Sequence, residues 1–270
     1  MVNKHVFTMA AYENFSQYLG SRLGMECKLN KKGMLESKLD SFMRIHNIER
    51  YEELLEYLKK NEGTEVWNQF VHRITTHKTD FFRENQHFDF LKQNLTKIME
   101  RNKRILLNRE IRIWSAGCST GEEPYTMAMF FNENFPEIYP KILATDISTE
   151  SLKAAMKGFY PFSIKNEMQP YYITKYFIRT GKGFQIDDSL KKYITFRSFN
   201  LTKEFCFKKG FDIIFCRNVM IYFGESVRET LVNKFYKALV TSGLFIIGHS
   251  ESLINLKQDF KYLKPTIYIK

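Results

Sequence analysis

From about residue 110 onward, short β-rich runs alternate with helical stretches, and this alternation constrains the fold more than any other feature of the chain. The runs are IRIWSA, KILATDI, YITFRSF, FDIIFC, GLFIIGHS and the terminal TIYIK, with helices expected from Glu122, Thr149 and Glu225. Strands separated by helices pair through crossovers, which gives a mostly parallel sheet with helices on both faces. Residues 158–196 interrupt the pattern. There KYFIR and GFQID flank the short stretch TGK, a hairpin signature. A small antiparallel β-subdomain, about residues 166–197, is therefore expected as an insertion in the α/β domain.

The first 75 residues read differently. Tyr12, Phe15, Leu19 and Leu23 recur at near-helical spacing before Gly24, and Leu35, Leu39, Phe42 and Ile45 follow the same rule. RYEELLEYLKKNEG and TEVWNQFVHRITT extend the helical texture, the second with Val66, Phe70, Val71 and Ile74. The expected organisation is a helical N-terminal domain over 1–84, a linker helix over 85–108 and the α/β domain over 109–270.

Composition narrows the class. A chain that is 44% hydrophobic and 16% aromatic packs a core and is not disordered. No apolar run is long enough to span a bilayer, and MVNKHVFTMAAYENFSQYL lacks the apolar core of a signal peptide, so a cytoplasmic location is expected. The four cysteines lie far apart without a CxxC pair, which reads as free thiols in a reducing compartment. The six histidines show no metal-ligand spacing, and no metal site is expected. The net charge of +11 attracts polyanions, whether nucleic acid, acidic membrane or an acidic protein surface, unless it reflects only a lysine-rich source.

The segment WSAGCSTGEEP (114–124) carries the chemistry. A glycine turn between a strand and a helix usually holds a phosphate. Here only Gly117 and Gly121 are present, no Gly-Lys-Ser/Thr follows, and Glu122 and Glu123 would repel a phosphate. A cationic nucleoside without phosphate, S-adenosylmethionine, resolves the conflict; the other reading is that both glutamates simply favour a helix N-terminus. Asp146 closes the run KILATDI about 25 residues past Gly121, where an acid can accept ribose hydroxyls. It could equally cap the helix that begins near Thr149. FDIIFC leads into RNVMIYF, which puts Arg217, Asn218 and Tyr222 at a strand end beside the ligand, Tyr222 otherwise being a packing tyrosine. No Asn/Asp-Pro-Pro-aromatic motif of DNA amino-methyltransferases is present. TTHKTDFFREN (75–85) offers Thr79 and Arg83, the latter able to fork onto a carboxylate or to lie on the surface.

Taken in order, TTHKTDFFRE, WSAGCSTGEEPY, ATDIS, FNL and IIFCRNVMIYF resemble the CheR family of chemotaxis-receptor methyltransferases over nearly the whole chain. The resemblance implies a Rossmann-like class I methyltransferase domain with a small antiparallel β-subdomain, preceded by an all-α domain. It implies methyl transfer from S-adenosylmethionine to glutamate side chains in cytoplasmic helices of chemoreceptors, forming γ-glutamyl methyl esters and S-adenosylhomocysteine. Carried over by motif, His77, Thr79, Arg83, Glu123, Asp146, Asn200, Leu201, Arg217 and Asn218 would bind the cofactor. Arg83 and Tyr222 would serve catalysis. His77 departs from the family pattern, which usually has asparagine there, and its contact would pass through a ring nitrogen. The short turn between KYFIR and GFQID looks like variants that need no receptor tether. Lys31, Lys32, Lys38 and Arg44 would lie along glutamate-rich receptor helices, or else form a solvated helix face. A monomer is expected, without nucleic acid or membrane insertion. The competing readings are a nucleic-acid methyltransferase, which would also suit the charge, and a cofactor sensor that has lost transfer.

Overall fold

The computed structural model of the protein describes residues 6–270. The stretch read above for a leader begins in residues 1–5, which lie outside the described residues. Four helices come first: α1 (Met9–Leu23), α2 (Lys32–His46), α3 (Tyr51–Lys60) and α4 (Glu65–Ile74). Their ends follow from local chemistry. Thr8 accepts the Ala11 N–H at the start of α1, and Gly24, at φ +70°, closes it in a left-handed cap. The apolar faces meet in one core that includes Phe15, Leu19, Leu39, Phe42, Leu54, Leu58 and Phe70. Ile45, expected on the buried stripe, is exposed instead, two residues past Met43 and rotated off the stripe that Leu35, Leu39, Phe42 and Met43 form.

The segment expected to be a single linker helix forms two, α5 (Gln86–Arg101) and α6 (Lys103–Asn108), interrupted at Asn102. Phe88, Leu91, Leu95 and Met99 of α5 pack into the same core as Ile111 and Ile113. The 3.6-residue spacing of these side chains makes α5 a covering layer of the sheet. Buried Asp212 anchors the break. It accepts from Asn102 Nδ2 (2.8 Å) and the Arg112 N–H (2.8 Å), and pairs with Arg104.

The remainder runs β1 (Glu110–Ala116), α7 (Glu122–Asn134), β2 (Tyr139–Asp146), α8 (Thr149–Lys157), β3 (Phe159–Tyr160), α9 (Pro170–Tyr176), β4 (Phe177–Arg179), β5 (Phe184–Ile186), α10 (Asp188–Lys191), β6 (Ile194–Ser198), β7 (Phe211–Cys216), α11 (Glu225–Ala238), β8 (Leu239–Ile247), β9 (Lys261–Lys264) and β10 (Ile267–Ile269). The large sheet has the order β6-β2-β1-β7-β8-β10-β9. The first five strands pair in parallel, and β10 and β9 close the edge antiparallel. Alternation along β1 sends Ile111 and Ile113 to one core and Trp114 and Ala116 to the other, so both faces are covered.

The small sheet has the order β3-β5-β4, and KYFIR and GFQID do pair antiparallel across it. Its span differs from the expected 166–197. It begins at Phe159, and Ile194–Ser198 pairs with β2 as the edge of the large sheet. Two-residue β3 carries too little alternation to be read from sequence, and β9, exposed along its length, has no buried face to signal it. The chain runs from β1 outward to β2 and β6, then returns to place β7 on the other side of β1. That reversal opens a crevice at the carboxyl ends of β1 and β7, where open α/β sheets bind ligands.

Removing the Asp212 carboxylate strands the donors of half-buried Asn102, Arg104 and Arg112 at the junction of α5, α6 and β1. Asp212→Ala is expected to lower stability by about 2–3 kcal/mol. A urea midpoint unchanged from wild type would show that the junction does not depend on it.

Candidate functional site

One cleft at these strand ends is lined by His77, Thr79, Arg83, Glu123, Asp146, Asn200, Leu201, Arg217, Asn218 and Tyr222. They arrive from five places in the chain: the 75–85 crossing, the turn after β1, the end of β2, the loop after β6 and the loop after β7. The helical domain adds Leu23 and Met25. An isolated bridge between Met25 and Phe223, and a bond from the Glu26 N–H to the Tyr222 carbonyl (2.8 Å), tie that domain to the far wall.

The turn after β1 explains its glycines. Gly117 has φ +95°, and a Cβ there would lie 2.3 Å from Val219 Cγ2. The Gly117 and Cys118 N–H groups bond the Thr145 carbonyl, stitching the turn to β2. The two glutamates part company. Glu123 faces the cleft, accepts from Ser115 Oγ (2.6 Å) and lies 2.9 Å from Arg217 Nε. Glu122 points into the protein, where Thr120 Oγ1 bonds its carboxyl, and burial raises its pKa from 4.5 to about 7. Thus only the second of the pair lines the cleft.

Asp146 Oδ2 accepts the Ser119 N–H (2.8 Å) and Oδ1 the Ser148 N–H (2.9 Å). Burial raises its pKa against these bonds. The cap of α8 is Ser148, whose Oγ accepts the Ser151 N–H, so the alternative reading of Asp146 as helix cap does not hold. Asp146 lines the cleft, and each of its oxygens can accept more than the one bond named here. Asn200 folds its side chain onto Thr202 and the Arg22 carbonyl. Tyr222 is half-buried, and its hydroxyl makes no hydrogen bond among the described residues. Arg83, also half-buried, donates through Nη1 to the Lys78 carbonyl (2.9 Å).

Two expected contacts are redirected. His77 lines the cleft, but its Nε2 lies 2.7 Å from the His72 carbonyl and its Nδ1 3.0 Å from Ser151 Oγ. Both ring nitrogens join the helical domain to α8 and are not available to a ligand. Arg217 is buried; its Nη1 donates to the Arg83 carbonyl (2.7 Å) and contacts His87 Nδ1 (3.1 Å). Its Nε pairs with Glu123 in charge, outside hydrogen-bond angle. Arg217 therefore acts on the cleft through the residues it holds. His87, lowered from 6.5 to about 3 by burial and the Arg217 charge, is a neutral ring. Its Nδ1 accepts, so its Nε2–H donates to Thr266 Oγ1 (2.7 Å).

Sequence spacing also missed two features. Glu84, His87 and His249 bring ligand atoms within 4.8 Å of one another. The arginine already seated on His87 Nδ1 makes this a poor place for a second cation. Glu251 accepts four backbone N–H groups beneath the cleft wall. The basic face is likewise divided. Lys38 Nζ is committed to the Ile74 (2.7 Å) and Thr75 (3.1 Å) carbonyls as a cap on α4, which takes it out of the expected docking surface, whereas Lys31 and Arg44 remain exposed.

Two carboxylates, a glycine cradle and the lack of any Gly-Lys-Ser/Thr suit a nucleoside that carries positive charge. The comparisons agree. A family model described as "CheR methyltransferase, SAM binding domain" matches residues 77–269, and one described as "CheR methyltransferase, all-alpha domain" matches residues 10–75. The chain is 40% identical over 256 residues to the chemotaxis protein methyltransferase of Borreliella burgdorferi, covering 93% of this chain and 90% of that protein. It is 32% identical over 277 residues to the chemotaxis protein methyltransferase of Salmonella typhimurium, covering 99% and 92%. For that of Escherichia coli the identity is 31% over 277 residues, covering 99% and 93%. Among the described residues, no helix is long and apolar enough to cross a membrane.

Two outcomes follow from this geometry. Gly117→Ala, which drives a methyl group into Val219, is expected to weaken S-adenosylmethionine binding at least tenfold, as read by calorimetry; unchanged affinity would mean the turn is not the cradle. A carboxyl whose folded pKa lies above its unfolded one contributes stability that is full below the unfolded value and is lost as pH rises through the folded value. Glu122→Gln is expected to flatten the pH dependence of stability between 4.5 and about 7 and to be more stable than wild type above it. Urea midpoints across that window check this, and parallel curves would overturn it.

Proposed function

Because the chain belongs to the CheR methyltransferase family, and is accordingly an S-adenosylmethionine-dependent methyltransferase of chemotaxis, we propose that it esterifies glutamate side chains of chemotaxis receptors to γ-glutamyl methyl esters. The observation that carries this reading is the convergence of Asp146, Glu123, Arg83 and Tyr222 on one glycine cradle. Asp146 takes the ribose hydroxyls, Asn200 and Leu201 flank the adenine, and Glu123 faces the cationic end. Thr79, His77 and Asn218 complete the wall, His77 by its ring face or backbone.

S-adenosylmethionine supplies an electrophilic methyl group on a sulfonium. The acceptor is a glutamate with pKa about 4.3, already ionised at neutral pH, so no general base is required. The protein's task is alignment of oxygen, carbon and sulfur, worth roughly 7–11 kcal/mol in favourable cases. Charge is consumed as the carboxylate meets the sulfonium, so a cleft that excludes water favours transfer. Arg83 holds the junction between cofactor and substrate. The Tyr222 hydroxyl, without a hydrogen-bond partner among the described residues, orients the substrate carboxylate without neutralising it. The exposed Lys31 and Arg44 attract glutamate-rich receptor helices, and the enzyme works as a cytoplasmic monomer. The hairpin turn at Thr180–Gly183, closed by a bond from the Thr180 N–H to the Gly183 carbonyl (2.8 Å), is too short to favour a tethering peptide.

Incubation with methyl-labelled S-adenosylmethionine and receptor-containing membranes, followed by mild alkali, is expected to release labelled methanol. Alkali-stable label would indicate methylation at nitrogen or carbon and overturn the reading. Tyr222→Phe and Arg83→Ala are each expected to lower turnover by more than tenfold; normal turnover in both would remove these residues from the chemistry.

A further inference from the structure

Glu251 is a half-buried acid that the chemistry above does not use. Its Oε1 accepts the N–H groups of Val219 (3.0 Å) and Met220 (2.7 Å), and its Oε2 those of Asn218 (2.9 Å) and Gly248 (2.6 Å). Among the described residues no lysine or arginine pairs with it. Its counter-charge is four backbone dipoles converging in a concave nest. Three of them belong to the turn that leaves β7, and the fourth to the end of β8.

That turn is a strained one. Asn218 sits at φ +59°, a left-handed conformation unusual for a residue with a side chain. Successive N–H groups aimed at one point repel unless an acceptor occupies it. The same turn presents Asn218, Val219 and Tyr222 to the cleft, and Val219 is the side chain that presses on Gly117. Gly248 is pressed as closely on the turn: a Cβ there would lie 2.6 Å from Asn218 Nδ2.

We propose that Glu251 is a positioning residue for methyl transfer, an internal anion that holds the turn of residues 217–222 and through it the Val219 wall and Tyr222. This rests on the reading that Asn218 and Tyr222 face the reacting groups. One carboxylate offers two acceptor oxygens to the four donors, and those bonds favour its ionised form against the burial that raises its pKa. Glutamine would turn an N–H₂ toward two of the four donors.

The test removes the anion and returns it. Glu251→Ala is expected to bind S-adenosylhomocysteine at least tenfold more weakly and to lose at least tenfold in turnover. Sodium formate, as a small carboxylate entering the vacated nest, is expected to restore both in a saturable manner that sodium chloride at equal ionic strength does not reproduce. A folded Glu251→Ala protein with unchanged affinity and turnover would overturn the proposal, as would losses that formate leaves untouched. Should that variant not fold, the isosteric Glu251→Gln is measured by the same two readouts. Wild-type values there, or failure of it to fold as well, would make Glu251 a folding residue only. The affinity arm is independent of the receptor. A wild-type protein that binds S-adenosylhomocysteine but labels no receptor would therefore sink the substrate reading and leave this test standing.

Discussion

A buried guanidinium holds the site together. Arg217 leaves the end of β7 and reaches three segments at once: Glu123 on the glycine turn, the Arg83 carbonyl on the crossing from the helical domain, and His87 at the start of α5. A desolvated charge is tolerable only where its partners are fixed, so each of these segments is held to a narrow position. His87 stays neutral because the arginine beside it and its burial both oppose a second proton. This knot ties together the segments around the cleft, which Arg217 and Glu123 themselves line.

The same logic runs through the rest of the wall. Three acids, Asp212 buried and Asp146 and Glu251 half-buried, accept backbone N–H groups and so hold the turns around the cleft. Asp212 fixes the junction of α5 and α6 to the sheet, Asp146 fixes the turn after β1 to the end of β2, and Glu251 fixes the turn after β7 to the end of β8. Low dielectric strengthens these bonds and penalises their loss. Three non-glycine residues in left-handed conformations lie at these joints: Arg109 between α6 and β1, Ser119 on the turn after β1 and Asn218 on the turn after β7. Strain of this kind persists where the surroundings over-determine the backbone.

Much of the fold was legible. Periodicity marked α1 through α4 and every strand of the large sheet except β9, because those elements bury one face or both and the pattern of burial is written in the residues. The small hairpin was legible for the same reason, whereas β3 and β9 were too short or too exposed to leave a pattern. The break of the 85–108 segment at Asn102 was not legible, since it depends on Asp212, over a hundred residues away.

The site divides along the same line. The sequence by itself determined which residue types gather: a glycine turn without a phosphate-binding lysine, an acid at the next strand end, and an arginine and a tyrosine beside them. Those motifs are local, and the order of strands brings local motifs to one edge. Only the tertiary structure decided which atoms remain free to act. It turned Glu122 inward and Glu123 outward, engaged both nitrogens of His77, spent Lys38 as a helix cap and buried Arg217. Hydrogen-bonding capacity is finite, and its allocation is settled by neighbours distant in the chain, which spacing along the sequence does not encode.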